Sequence, residues 1–479
     1  MPPPLLPRSA PRLSGVSSPA VAALLDRLEE KSVECHSLMI VRHSHIVAEG
    51  WWAPYSAERP HLLYSLTKSF TSMAVGLAIA DGLLSLDDRV VDVLPDHIPD
   101  DISEHARLIS VHHLLSMTTG HRSDTLAEAW QREPSDLVKG FLSLPPAPAD
   151  GAPHTYDNST TFVLARMVER VTGVGLPEFL DERLFGPMGI EHADWDRVGS
   201  GAAFGFHGLH LQTEAVAAFG ELLRRGGVWE GRQLVPREWV ELATRTHTES
   251  SHYAEGADGA DFLLGYGYQI WMSRHGFHGN GAFGQHCVVV PEHDLVVVLT
   301  SAQREVQQAQ DVLDAIWECL LPGMDRAGSA QEDQALVDRL RALALPPPQG
   351  SAGSNRLVTA VVDASAEGSA LSHGTIVTIA PADSGWRVRF DALLDADIAV
   401  GHGEWRESQP LGRAVCAAGA WQDGVFVAEL YVITSPHRVQ LKVDPDAATA
   451  TLTWVTVPLT TSDLMLHLRN PLMTRPDVA

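Results

Sequence analysis

The chain has 479 residues, 45% hydrophobic and 20% charged, which is enough for two or three domains that each bury a core. A formal charge of −25 at pH 7 argues against nucleic acid or an anionic membrane as partner, because both demand a cationic surface. Four scattered cysteines, Cys35, Cys287, Cys319 and Cys416, include no C-x-x-C pair, so no disulfide or zinc framework is visible.

Residues 1–19 are rich in proline and serine and read as a flexible lead-in without the apolar core of a secretory signal. No apolar run approaches the ~20 residues needed to cross a bilayer, so the expected location is cytoplasmic. Ala20–Lys31 predicts an amphipathic helix with Val21, Leu24, Leu25 and Leu28 on one side. Ser37–Gly50 predicts a β-hairpin around a polar turn. Over Ser65–Leu84 apolar residues recur at three and four but also fill the other side, which implies a buried helix; Gly82 is its natural stop.

Short helical pieces follow over Leu86–Leu94 and Ser110–Met117, then amphipathic helices over Thr161–Thr172, Pro177–Leu184, Thr213–Arg225 and Pro236–Thr244. From Leu264 the period becomes that of strands: Gly265–Met272, Cys287–Val290 and Leu295–Thr300, with Asp311–Leu321 as a closing helix. A hairpin early, helices in the middle and strands late predict one antiparallel sheet built from both ends of an α+β domain over residues 20–325. Residues 326–355 hold a linking helix, Gln331–Leu345, and a linker, Pro346–Ser354, expected to be exposed and protease-sensitive. A fragment ending near residue 345 is therefore expected to fold alone. Short strand-like runs with Gly, Pro and Asp turns over residues 356–479 predict a small all-β domain, a barrel or a sandwich.

Ser65 and Lys68 open the buried helix three residues apart, so both side chains lie on one face. A serine hydroxyl needs a neighbouring base, and a desolvated lysine is one. Only four of the 35 basic residues are lysine, and an arginine could not take the proton. By itself the spacing is weak, since four lysines give roughly a one-in-four chance of some S-x-x-K. Tyr156-Asp157-Asn158 adds a phenol able to shuttle a proton and an amide able to position a carbonyl. Gly279-Asn280-Gly281-Ala282-Phe283-Gly284 matches G-x-G-x-x-G, but a strand follows it rather than a helix, which removes the dinucleotide reading. A glycine-rich strand edge instead lets a substrate lie against bare backbone. The pairs His43/His45, His112/His113 and His207/His210 lack the supporting ligands of a metal site. With no H-E-x-x-H, G-x-S-x-G or P-loop either, neither a metal nor another cofactor is expected.

Taken in order, Ser65-x-x-Lys68, Tyr156-x-Asn158 and the late glycine-rich strand resemble the serine β-lactamase and penicillin-binding-protein-like hydrolases. The nearest branches are class C β-lactamases, related esterases and 6-aminohexanoate-dimer hydrolases. Leu83–Asp88, His113–Gly120, Leu184–Ile190 and Gly284–Pro291 also look like that family, and the resemblance covers about residues 20–322. It implies a helical subdomain inserted into an antiparallel sheet flanked by helices. It also implies an acyl-enzyme on Ser65, with Lys68 and Tyr156 exchanging the proton and Asn158 orienting substrate. The backbone N–H groups of Ser65 and Ala282 would face the oxyanion. One departure stands out: the family's lysine-threonine-glycine motif is absent. Gly279-Asn280-Gly281 occupies its place, with His278 just before.

The sequence thus predicts a serine hydrolase for small amides or esters, with Ser65, Lys68 and Tyr156 catalytic and Asn158, His278, Gly281 and Ala282 binding substrate. A D-amino-acid peptidase, penicillin-binding carboxypeptidase or β-lactamase is the enzymatic alternative. A non-catalytic binding or sensing homologue is the other. Oligomeric state is not encoded in any motif.

Overall fold

Strand β6, Leu295–Ser301, is buried along its whole length, and the main sheet is built around it. The computed structural model describes residues 4–148, 152–250, 261–326, 328–353, 356–391 and 397–469. Residues 1–3 of the expected lead-in and Ser354 of the expected linker lie outside that set. The chain forms two compact units. Among the described residues, one comprises 4–50 with Leu62–Ala342; the other comprises Trp51–His61 with 343–469.

In the first unit, strands β1 (Cys35–Arg42), β2 (His45–Trp51), β3 (Trp271–Ser273), β4 (Gly276–Gly281) and β5 (Gln285–Val290) join β6 in the order β2-β1-β6-β5-β4-β3. Early and late segments of the first unit therefore meet in one sheet, as the hairpin-early, strands-late pattern predicts. His43 and Ser44 close the first hairpin with φ of 49° and 63°, the left-handed pair of a two-residue turn. β1 runs antiparallel to β6, with Leu38 opposite Leu299. β1, β5 and β6 are buried on both faces, which is why they read as unbroken apolar runs rather than alternating ones.

The helices that matter for the site are α1 (Ser18–Glu30), α2 (Thr67–Ala80), α3 (Asn158–Thr172), α4 (Thr213–Arg224), α5 (Gln307–Ala315) and α6 (Ala330–Arg341). α2 is buried from Thr67 through Ala78, as its all-round apolar sequence requires. Its Phe70 ring stacks on Phe219 of α4 at 3.9 Å. α4 lies against the sheet so closely that a Cβ on Gly220 would meet Val296 and Cys287. The helical subdomain, which includes Val111–Ser116 and α3, is inserted between β2 and β3.

Several expectations change on contact with the structure. Residues 4–17, read as flexible, are folded onto the first unit. Arg8 bridges Glu49 and Glu214, Val16 is fully buried, and the Ile46 N–H donates to the Pro7 carbonyl, covering the edge of β2. Of the expected strand Gly265–Met272 only the end is extended, because Gly265 and Gln269 take φ of 116° and 63°. α3 begins three residues before Thr161, capped by the Asp157 carboxylate on the Ser159 N–H at 2.9 Å. α6 packs on α1 within the first unit, opened by the Ser329–Glu332 capping box.

The second unit is a closed eight-strand barrel, which decides between barrel and sandwich. Strands β7 (Val358–Val362), β8 (Ile376–Ala382), β9 (Gly385–Phe390), β10 (Ile398–His402), β11 (Arg406–Ser408), β12 (Val415–Gln422), β13 (Val425–Val432), β14 (Arg438–Asp444) and β15 (Thr449–Trp454) follow the order β10-β9-β8-β7-β15-β14-β13-β12-β11. Pairing of β10 with β12 closes the ring and leaves β11 as a flap. Phe390, Phe426 and Trp386, with a set of valines and leucines, fill its centre, so it is a packed core rather than a ligand cup.

Trp51–His61 belongs to this barrel unit. Ala53 exchanges backbone hydrogen bonds with Leu343 and Leu345, the buried Tyr55 hydroxyl donates to the Ser435 carbonyl at 2.9 Å, and Arg59 pairs with Glu407. The expected linker is also tied down: Ser351 and Trp421 exchange N–H···O bonds at 3.0 and 2.9 Å. A fragment ending at Leu345 would keep Trp52 and Tyr55 but lose the groups that bury Tyr55. Exposing even one such aromatic forfeits on the order of 2–3 kcal/mol. We expect that fragment to be insoluble or to melt several degrees below the full chain by differential scanning calorimetry. An equal melting temperature would show that the segment does not need the barrel.

Candidate active site

Ser65 sits in a single tight helical turn, Tyr64–Leu66, that runs straight into α2. N–H groups in such a first turn lack intrahelical acceptors. Tyr64, the residue before it, holds φ at 48°, an uncommon value for a bulky side chain that only surrounding packing can enforce. Its ring packs against Phe283 at 5.2 Å and His207 at 6.2 Å. Phe283 follows Ala282 and is itself left-handed, with φ of 62°. Two packed aromatics therefore fix the peptides on either side of the site.

Lys68 is 1% exposed, and burial lowers its pKa to about 7 against the opposing pull of Asp124 and Asp157. Its amine lies 2.9 Å from Ser65 Oγ, donates to Asn158 Oδ1 at 2.6 Å and to the Phe206 carbonyl at 3.1 Å. A neutral amine has two N–H bonds and one lone pair. With both N–H bonds taken by fixed acceptors, the lone pair is left facing the Ser65 hydroxyl. Such an amine can take the hydroxyl proton. The Tyr156 and Phe206 rings lie 4.8 and 5.5 Å from Nζ, and Tyr156 stacks on Trp271 at 5.6 Å.

Asn158 is engaged at both ends of its amide. Oδ1 accepts from Lys68, and Nδ2 donates to Asp124 at 2.5 Å. Asp157, fully buried, accepts from Thr125 and Ser159, while burial and the neighbouring Asp124 push its pKa up to about 7. Ser69, the residue after Lys68, is buried and donates to the Gln269 carbonyl at 2.9 Å, which removes it from competition with Ser65.

Strand β4 crosses this helix start on glycine. A Cβ on Gly279 would lie 2.2 Å from Leu66 Cδ1, and one on Gly281 would lie 2.0 Å from the Leu63 carbonyl. Those two positions face Ser65's turn, so by the two-residue period of a strand His278 and Asn280 face the other way. His278 is the correction this forces on the sequence reading. It is completely buried on the far face, 2.6 Å from Ser273 Oγ and edge-on to Phe262, and burial lowers its pKa to about 4. It is neither beside Ser65 nor a cation at neutral pH. Arg274, the cation on the approach to β4, is spent on Asp261 and Asp314.

Ser65, Lys68, Tyr156, Asn158, Gly281 and Ala282 thus belong to one locality, and His278 does not. Sequence reasoning missed Asp124, Phe206 and Trp271, which carry no local signature, and gave no role to Asp157, the helix cap inside the quoted tripeptide. Among the described residues no group of three or more His, Cys, Asp or Glu could hold a metal, and no helix is long and apolar enough to cross a membrane.

A mixed α+β fold that sets a serine hydroxyl against a buried lysine has the layout of a serine hydrolase. The chain belongs to the beta-lactamase family, whose model matches residues 21–319. It is similar to the 6-aminohexanoate-dimer hydrolase of Paenarthrobacter ureafaciens, 26% identical over 298 residues, covering 58% of this chain and 75% of that protein. Lovastatin esterase of Penicillium rubens is 31% identical over 150 residues, covering 27% of this chain and 37% of the esterase. Among solved structures, a candidate beta-lactamase of Bacteroides dorei superposes with a TM-score of 0.52 at 16% identity, covering 64% of this chain and 99% of that one. EstCE1, a hydrolase with promiscuous acyltransferase activity, gives 0.50 at 16% identity, covering 62% and 97%. Both structural likenesses speak to the fold.

The close approach of β4 is testable. Gly281→Ala should lower stability by roughly 1–3 kcal/mol, because the new methyl collides with a backbone carbonyl that cannot rotate away. A thermal melt indistinguishable from wild type would show that the strand can retreat.

Proposed function

We propose that this protein hydrolyses small esters or linear amides through an acyl-enzyme on Ser65. The observation that carries the reading is the Lys68 amine, buried and 2.9 Å from Ser65 Oγ with its other hydrogen-bonding capacity used up. Lys68 accepts the hydroxyl proton as Oγ bonds to the carbonyl carbon. The resulting oxyanion meets the N–H groups of Ser65 and Ala282, whose backbones are steadied by the packed rings of the adjoining Tyr64 and Phe283. Collapse breaks the bond to the leaving alcohol or amine, which takes the proton back from Lys68 directly or by way of the Tyr156 hydroxyl. A water then repeats the cycle on the acyl-enzyme, releasing the acid and restoring Ser65.

The esterase and amidohydrolase names among the relatives support this substrate class. So does strand β4. Where the family's lysine and threonine would hold a substrate carboxylate, the residues facing the nucleophile are Gly279 and Gly281, which have no side chain to offer. The likeness to penicillin-binding protein 4 of Amycolatopsis lactamdurans, 32% identical over 133 residues, keeps a peptidase as the second reading.

Two experiments follow. Because Lys68 acts only when unprotonated and its pKa is about 7, fluorophosphonate labelling should fall about tenfold per unit below pH 7 and level off above pH 8. Peptide mapping should find the adduct on Ser65, and Lys68→Arg should abolish labelling because a guanidinium cannot accept the proton. A flat profile, or near-normal labelling of Lys68→Arg, would reduce Lys68 to a counter-ion. Second, losing one charge-assisted hydrogen bond to a carboxylate costs on the order of 2–3 kcal/mol, roughly 30- to 150-fold in rate. Short-chain p-nitrophenyl esters should therefore be turned over well and penicillins poorly at pH 7.5. A kcat/KM for benzylpenicillin at or above the ester value would favour a β-lactamase.

A further inference from the structure

The base is aimed by an amide, and an amide can point either way. Asn158 presents an oxygen to Lys68 and a nitrogen to Asp124; rotating the group by half a turn exchanges the two at almost no change in shape. Left alone, that choice would be set by Lys68 only. Asp124 adds a second, charged determinant. It precedes the short helix Leu126–Arg132, and its Oδ1 accepts the backbone N–H groups of Asn158 and Leu126, both at 3.1 Å. With that oxygen pinned to two backbones, Oδ2 takes the Asn158 amide N–H at 2.5 Å.

We propose that Asp124 is a positioning residue for the reaction: its carboxylate locks the Asn158 amide with Oδ1 toward Lys68 and so holds the amine against the Ser65 hydroxyl. This rests on the acyl-enzyme reading above. In the flipped state an amide N–H would face the lysine N–H groups, and the amide oxygen would face a carboxylate oxygen. Both contacts would then be repulsive where both are now charge-assisted or polar hydrogen bonds. Lys68 would lose the acceptor that occupies one of its N–H bonds, and its lone pair would no longer be committed to Ser65. A misplacement of the base by an ångström costs on the order of a hundredfold in rate.

The charged and titratable neighbours of Lys68 leave this task to Asp124. Asp157 is bound to Thr125 and Ser159 as a helix cap, Tyr156 presents its ring face, and His207 is buried, with its pKa lowered to about 4. Asp124 is exposed, so it can be replaced without opening the core.

The test exploits the fact that a carboxylate, unlike an amide, has no wrong way round. Asp124→Ala and Asp124→Asn should each slow fluorophosphonate labelling at pH 9 by about tenfold or more while the melting temperature stays close to wild type. In the exchange variant Asp124→Asn/Asn158→Asp, position 158 offers oxygen to Lys68 in either orientation, and the amide now at position 124 donates to its other oxygen. Labelling at pH 9 should be at least about threefold faster than in Asp124→Asn, with its acid limb moved to higher pH because Lys68 now touches a charged acceptor. Single variants within twofold of wild type, or an exchange variant no faster than Asp124→Asn, would overturn the proposal. Wild-type protein that takes no label on Ser65 would instead overturn the acyl-enzyme reading on which it rests.

Discussion

A lysine deprived of water is the constraint around which the first unit is arranged. Moving the amine's pKa from 10.5 to about 7 corresponds to a bias on the order of 5 kcal/mol against its charged form. That bias exists only while α2 is enclosed on every side. The stacking of Phe70 on Phe219, the approach of α4 to the sheet and the passage of β4 across the helix start all serve that enclosure. Any loosening that admits water returns the amine toward its ordinary basicity and, in the proposed mechanism, removes the base. Packing far from Ser65 is thus coupled to its chemistry through solvation rather than through contact.

Glycine does two jobs on β4 that pull in one direction. It lets the strand come within touching distance of Leu63 and Leu66, and it strips that face of side chains. In the proposed reaction that face offers a substrate backbone alone, which discriminates by shape and by carbonyl polarity, not by charge. His278 illustrates how strictly the strand's alternation rules: one residue away from Gly279, it occupies a different chemical world, neutral and sealed behind the sheet.

Much of this was legible in the sequence because it was local. The Ser65–Lys68 pair declares itself through helical spacing, the buried helix through its lack of a polar face, and the sheet through strands at both ends of the chain. The assignment of His278 failed because proximity along a strand was taken for proximity to the site, and parity relative to Ser65 cannot be read without knowing which face the glycines serve. Asp124 was invisible for another reason. It lies in a loop 34 residues before Asn158, and only the tertiary fold brings the two together. The strand expected over Gly265–Met272 was lost to Gly265 and Gln269, whose left-handed backbones break a run that composition alone would extend. In the barrel, β11 and β12 carry the weakest strand signal. β12 is rich in alanine and glycine, and short, half-exposed strands such as β11 carry too little apolar signal.

The chain leaves the first unit after Gly50, contributes Trp51–His61 to the barrel unit, and returns at Leu62, three residues before Ser65. A barrel appended to a finished hydrolase by simple end-to-end gene fusion would be joined once, at the carboxyl end. Among the described residues there are three junctions, and one of them is the run-up to Ser65, the proposed nucleophile. Recombination that swaps the barrel for another module must therefore cut and reseal the polypeptide beside its most sensitive turn. Inheritance of the two units is for that reason linked: with the chain crossing between them more than once, the barrel cannot be traded between proteins as a single terminal cassette.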